Sequence, residues 1–213
     1  MFRKIMITMG LFSLLFTMIK GADNNLIELP EPNKTGGMPL MKALNNRHTS
    51  RSFKDDELPR QMLSDLLWAA FGINRPQSGK RTAPSAMNMQ EIDVYVCSKE
   101  GAFLYNAEKH ALKKITDEDI RKFTGTQNFV DDAPLNLVFV ADYNKMGNMD
   151  SETKLKYSWC DAGYISQNVY LYCASEGLAN VVRAMIDRDK LHPKMKLDDS
   201  QKIVLSQTVG YPK

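Results

Sequence analysis

The sequence contains no Gly-x-Gly, no Cys-x-x-Cys and no Gly-x-Ser-x-Gly. The first absence removes the dinucleotide fingerprint and the phosphate loop of nucleotide hydrolases. The second argues against zinc, because His48, His110 and His192 are also too dispersed to form a His-x-x-x-His pair. The third removes the commonest serine-hydrolase elbow. Cysteine is scarce: Cys97 lies in a strand-like run, and Cys160 and Cys173 share a helix-like one, roughly 20 Å apart at about 1.5 Å per residue and so beyond bridging distance. A disulfide scaffold is excluded, and the three thiols read as small buried hydrophobes. Charge of one sign is missing as well. There are 28 basic and 25 acidic side chains, but Arg3, Lys4 and Lys20 fall within the first 22 residues, which hold no acid, so the remainder is balanced. That balance gives no support to nucleic-acid binding. With the usual polar catalysts absent, an enzyme built from this sequence needs an organic cofactor to carry the reaction.

What is present is 213 residues, 43% hydrophobic and 25% charged, which suits one globular domain and excludes a disordered chain. Residues 1–22 have the pattern of a secretory leader: Phe2-Arg3-Lys4 is a basic start, and Ile5 to Ile19 is an apolar run shorter than the roughly 20 residues a spanning helix needs. The expectation is therefore an exported, periplasmic protein. The alternative is tethering by an uncleaved leader, since Lys20 occupies a position before Ala22 where a small residue is usual. Residues 23–38, with Pro30, Pro32, Gly36 and Gly37, read as an extended linker. From there the domain spans 39–213.

Periodicity predicts helices over Leu40–Asn46, Arg60–Phe71, Asp117–Phe123 and Ser151–Glu176, and strands over Ile92–Val96, Phe103–Tyr105, Ala111–Ile115, Leu135–Ala141, Val181–Met185 and Lys202–Val209. The long helix carries Leu155, Trp159, Ala162, Ser166, Val169 and Cys173 on one face, with Gly177 placed to end it. Strands separated by helices indicate an α+β fold of mixed α/β layers. Trp68 and Trp159 read as core or subunit-interface residues, and His110 and His192 have no partner that the sequence identifies.

Arg47-His48-Thr49-Ser50-Arg51-Ser52-Phe53 places two guanidinium groups, an imidazole and three hydroxyls in seven residues, a composition suited to gripping a phosphate. This segment resembles the Arg-(His/Arg)-Ser-x-(Arg/Lys)-x-Phe motif of the FMN-dependent nitroreductase family. Pro84-Ser85-Ala86-Met87-Asn88-Met89-Gln90 is similar to its Pro-Ser-x-x-Asn-x-Gln turn. The helix from Asp161, with Glu176-Gly177-Leu178 and the strand after it, resembles its helix–Gly-Leu–strand unit, and the chain closes on the similar Val209-Gly210-Tyr211-Pro212-Lys213.

The resemblance implies a mostly antiparallel sheet flanked by helices, with the long helix at a homodimer interface and FMN between the subunits. Arg47 and Thr49, helped by His48 and Lys213, would hold the phosphate, and Arg51 would lie at the pyrimidine edge, where a cation supports charge on the reduced ring. Asn88 would meet the ribityl chain or the N3/O4 edge, and the backbone N–H groups of Arg183, Ala184 and Met185 would approach N5. The Arg183 side chain faces either the flavin cleft or solvent. The implied reaction is a ping-pong transfer from NAD(P)H or another donor to a small acceptor such as a nitroaromatic or quinone. Asp161-Ala162-Gly163 and the Tyr-Pro-Lys ending stand nearest the SagB-type dehydrogenases, so oxidation of an organic or peptide-derived substrate is one alternative. A non-catalytic flavin-binding or tethered protein is the other.

Overall fold

The computed structural model describes residues 25–213, so the leader expected over residues 1–22 lies outside the described residues. Strands β1 (Leu26–Glu28), β4 (Ile92–Ser98), β5 (Gly101–Asn106), β6 (Ala111–Thr116), β7 (Leu135–Asp142), β8 (Ala179–Arg183) and β9 (Gln201–Gly210) form one seven-stranded sheet in the order β1-β6-β5-β4-β7-β9-β8. Every neighbouring pair runs antiparallel. A small separate hairpin pairs β2 (Ile73–Arg75) with β3 (Lys80–Arg81). Helices α1 (Leu40–Asn46), α2 (Arg60–Phe71) and α3 (Ser151–Glu176) have the expected bounds, and the architecture is the expected α+β one.

The sheet is covered on both faces, and strand alternation decides which side chain goes where. Val94, Val96, Leu137, Phe139 and Ala141 pack with Leu66 and Phe71 of α2 and with Ala162, Ile165 and Val169 of α3. Tyr95, Cys97, Val138 and Val140 face the other way, onto Leu191 of α4 (Arg188–Lys194), Met195 and Ile120. β7 therefore reads as a continuous apolar run because both of its faces are buried.

Several expectations change. The linker over 23–38 contains β1, whose Ile27 pairs with Leu112 at the sheet edge, and its later part is fastened by Met38 N donating to Ser175 Oγ at 2.7 Å. In place of a helix over Asp117–Phe123 there is one 3₁₀ turn, Arg121–Phe123. Asp119 Oδ1 accepts from Arg121 N, which a helix over that span would have bonded to the Asp117 carbonyl, so a side chain takes an N–H group the helix needs. β8 starts and ends two residues before its expected span, because Asn180, a turn former by type, is buried and accepts from Gln207 Nε2. Leu155 and Trp159 are exposed, and Ser158 and Asp161 take their places in the buried stripe of α3. Cys97 and Cys173 are buried free thiols, whereas Cys160 is exposed, against the expectation of three buried ones.

His110 does have partners. Ser64 Oγ has one proton, which it donates to Pro30 O at 2.5 Å, so His110 Nε2 must donate to Ser64 Oγ at 2.6 Å and its Nδ1 accepts from the Tyr105 hydroxyl at 2.9 Å. This latch joins the segment after β1, helix α2 and the β5–β6 hairpin. Burial holds the His110 imidazole below its ordinary 6.5, so the neutral latch contributes fully above that value and is lost as pH falls through the lower folded one. His110→Ala should lower stability by about 1–3 kcal/mol at neutral pH and flatten its acid dependence between pH 7 and 5. Thermal melts of both proteins across that range test this, and parallel acid losses would refute the latch.

Candidate functional site

The segment after α1 leaves the helix at Arg47, whose N–H still bonds Ala43 O, and then runs beside β8 with Ser50 N donating to Asn180 O at 3.0 Å. Tyr170 on α3 fixes it there. Its hydroxyl accepts from Val182 N at 3.1 Å and shares a hydrogen bond with Thr49 Oγ1 at 3.0 Å, while the Arg47 guanidinium lies 5.2 Å from its ring centroid. The far end is held by Phe53, which is buried against Phe129, Val130 and Ala133 and bridges to Pro212. Lys54 N donates to Tyr211 O, so the C-terminal Lys213 is carried alongside the basic segment, with its Nζ 3.8 Å from Asp132. Gly210 permits that closeness, since a Cβ there would stand 2.7 Å from Pro134 Cδ and 3.5 Å from Phe53.

The structure thus brings Arg47, His48, Thr49, Arg51 and Lys213 onto one surface. His48 Nδ1 donates to Asn46 O at 2.8 Å. Among the described residues, neither Arg47 nor Arg51 forms an ion pair. Two unneutralised guanidinium groups, a fixed hydroxyl and a terminal ammonium are the donor set for a phosphate. The residue that orients this segment, Tyr170, lies 121 positions away from Thr49, and no sequence spacing signals that.

Arg183 faces neither a cleft nor solvent. It is 6% exposed, and its guanidinium donates to Thr124 O at 2.9 Å and to Asn136 Oδ1 and Thr208 Oγ1 at 2.7 Å. No carboxylate accompanies it, and burial pulls its pKa down to about 10. Gly125 makes room for it, because a Cβ there would sit 1.6 Å from Nη1. Its side chain is therefore corrected to a structural one, while Ala184 and Met185 lie exposed beyond the end of β8.

Asn88 lies elsewhere. It belongs to a turn between β3 and β4 in which Met87, Asn88 and Gln90 have φ of +50°, +57° and +51°. Left-handed non-glycine residues cost of order 1–3 kcal/mol each, so the surroundings must hold this shape. They do: Gln90 N donates to Ser85 Oγ at 3.0 Å, Arg81 Nε to Gln90 Oε1 at 2.7 Å, and Ala86 N to Asp161 Oδ2 at 2.8 Å on α3. Asp161 and Tyr170 are separated by roughly 14 Å of helix at about 1.5 Å per residue, so the points at which α3 grips the Asn88 turn and the basic segment lie apart.

A model described as the Nitroreductase family matches residues 44–211. The crystal structure of a candidate nitroreductase from Ralstonia eutropha JMP134 is 44% identical, with 89% of this chain and 90% of that one covered and a TM-score of 0.85. A candidate nitroreductase from Methanocaldococcus jannaschii is 29% identical over 178 residues, which are 78% of this chain and 88% of the relative. A candidate NADH oxidase from Clostridium acetobutylicum is 25% identical, covers 80% of this chain and 87% of its own, and has a TM-score of 0.57.

The two kinds of arginine should respond differently to removal. Arg183→Met leaves Asn136 and Thr208 without their shared donor and should cost roughly 2–4 kcal/mol, whereas Arg51→Ala should stay within about 0.5 kcal/mol. Urea unfolding measures both, and equal losses would contradict these placements.

Proposed function

The chain belongs to the nitroreductase family and is an oxidoreductase, and from that premise we propose that it is FMN-dependent, with Arg47, His48, Thr49 and Lys213 binding the phosphate. The observation that carries this reading is the cationic segment held by Tyr170 and Phe53, in which Arg47 and Arg51 form no ion pair among the described residues. Bound FMN supplies two-electron hydride chemistry, which no side chain of this protein provides. Arg51 is exposed and free of carboxylates beside the phosphate-binding residues, a position from which its charge favours the reduced ring. The exposed backbone of Ala184 and Met185 beyond β8 offers N–H donors to the ring without a polar side chain. Donor and acceptor use one open site in turn: NAD(P)H or another reductant first, then a small nitroaromatic or quinone.

The dimer completes the site in this reading. Tyr157 and Tyr164 leave an exposed aromatic face on α3, and Met87 exposes an apolar side chain on the Asn88 turn. A Cβ at Gly163 would meet nothing within 4 Å, so that stretch of helix is open to close approach. An isologous interface on this face would bring the Asn88 turn of one subunit to the basic segment of the other. The leader pattern at residues 1–22 supports export to the periplasm.

Arg47→Ala should weaken FMN binding by about 1.5–3 kcal/mol, roughly ten- to more than a hundredfold, as read by fluorescence titration. Arg51→Ala should keep more of the FMN and lower its reduction potential. Unchanged affinity in the first, or an unchanged potential in the second, would misplace those residues. Reduction of the bound flavin by organic substrates but not by nicotinamides would favour the dehydrogenase direction. Sedimentation of FMN-saturated protein as a monomer at micromolar concentration would overturn the dimer.

A further inference from the structure

The Asn88 turn rests on a pair of buried acids that the reading above does not use. Glu91, the residue between the turn and β4, is fully buried, and neither carboxyl oxygen has a hydrogen-bond partner. It lies within interaction range of Asp161, itself 2% exposed, whose Oδ2 accepts from Ala86 N at 2.8 Å. The charged groups around it are few. Lys145, on the 3₁₀ turn after β7, is committed to Asp93 on β4 at 2.6 Å, Asp142 approaches through its backbone N, which donates to Glu91 O, and Arg81 on β3 is committed to Gln90. No cation is left to neutralise a second carboxylate, so an ionised Glu91 would stand unpaired against the Asp161 carboxyl that grips Ala86.

We propose that Glu91 and Asp161 form a proton-operated clasp: protonated Glu91 lets charged Asp161 hold the left-handed Ala86–Gln90 turn on α3, and loss of the Glu91 proton to solvent sets two carboxylates against each other and frees the turn with Asn88. Both are positioning residues. The consequence for FMN rests on the function proposed above, whereas the clasp itself does not. Burial, and after it the Asp161 charge, raise the Glu91 pKa to about 7. The sign follows: the closed turn binds a proton that an opened one releases, so the clasp is intact on the acid side of that value and slackens as pH rises through it.

The test uses the flavin-free full chain with isotope-labelled carboxyl carbons and amides, titrated by NMR from about pH 5 to about pH 9. The Glu91 carboxyl carbon and the Ala86 amide should move together with a midpoint of about 7. Glu91→Gln should hold the Ala86 amide at its acid-side position throughout, and Asp161→Ala, which removes the acceptor, should abolish that position at every pH. FMN titrations should then show wild-type affinity falling about tenfold over the alkaline limb and Glu91→Gln showing no such fall. The phosphate's own titration is common to both proteins and cancels. A Glu91 carboxyl that titrates in the ordinary glutamate range, or an unaltered Ala86 midpoint in Glu91→Gln, overturns the clasp. Should that variant fail to fold, the wild-type carboxyl titration decides alone. Joint movement of Glu91 and Ala86 in a protein that binds no FMN would uphold the clasp and refute the proposed function.

Discussion

One helix sets the geometry of both segments of the proposed site. α3 lies across the sheet with Ala162, Ile165, Val169 and Cys173 buried against β4, β8 and β9, and two of its polar side chains reach past that apolar contact. Asp161 takes the backbone of the Asn88 turn, and Tyr170 takes both the basic segment and β8. Because the helix is rigid and packed along its length, the separation of those two grips is fixed. Loosening the packing would move both halves of the site together.

Electrostatics divides the cations into two populations. Arg183 is deep, has no acid, and is compensated by carbonyl and hydroxyl dipoles, which suits a group whose role is to tie β7, β8 and β9 together. Arg47 and Arg51 are left near the surface with no carboxylate to satisfy them, although the chain as a whole is nearly balanced in charge. A local excess of positive charge on a balanced molecule is a recognition feature for an anion rather than a means of solubility. The acids show a similar division. Asp161 makes a charge-assisted bond to a backbone N–H, and its neighbour Glu91 is pressed toward neutrality by burial and by that same charge.

Strain is concentrated in the same region. Three left-handed non-glycine residues within four positions are held by Ser85, Arg81 and Asp161, so bonding at the turn's margins offsets a conformation its own residues disfavour. A glycine would relax the backbone there, but the turn would lose the Asn88 side chain and the Gln90 contacts that define it.

Local physics was enough to determine much of this protein from sequence. Helices α1, α2 and α3, the β5–β6 hairpin, the doubly covered β7 and the basic segment from Arg47 to Phe53 follow from periodicity, turn chemistry and residue type, which act over a few neighbours. Residues 26–28 did not look like a strand, because three residues gain an edge position only when Lys113, Leu112 and Ala111 are already in place. The expected stripe of α3 included Leu155 and Trp159 and left out Ser158 and Asp161, because hydrophobicity cannot register a polar side chain whose partner arrives from a distant element. The same holds for Arg183 with Asn136 and Thr208, for Tyr170 with Thr49, and for His110 with Ser64. Each joins residues tens of positions apart, and the desolvation cost of a buried polar group makes such a pairing favourable only when both partners are delivered together. Only the tertiary structure decided which polar side chains became structural and which were left free to bind.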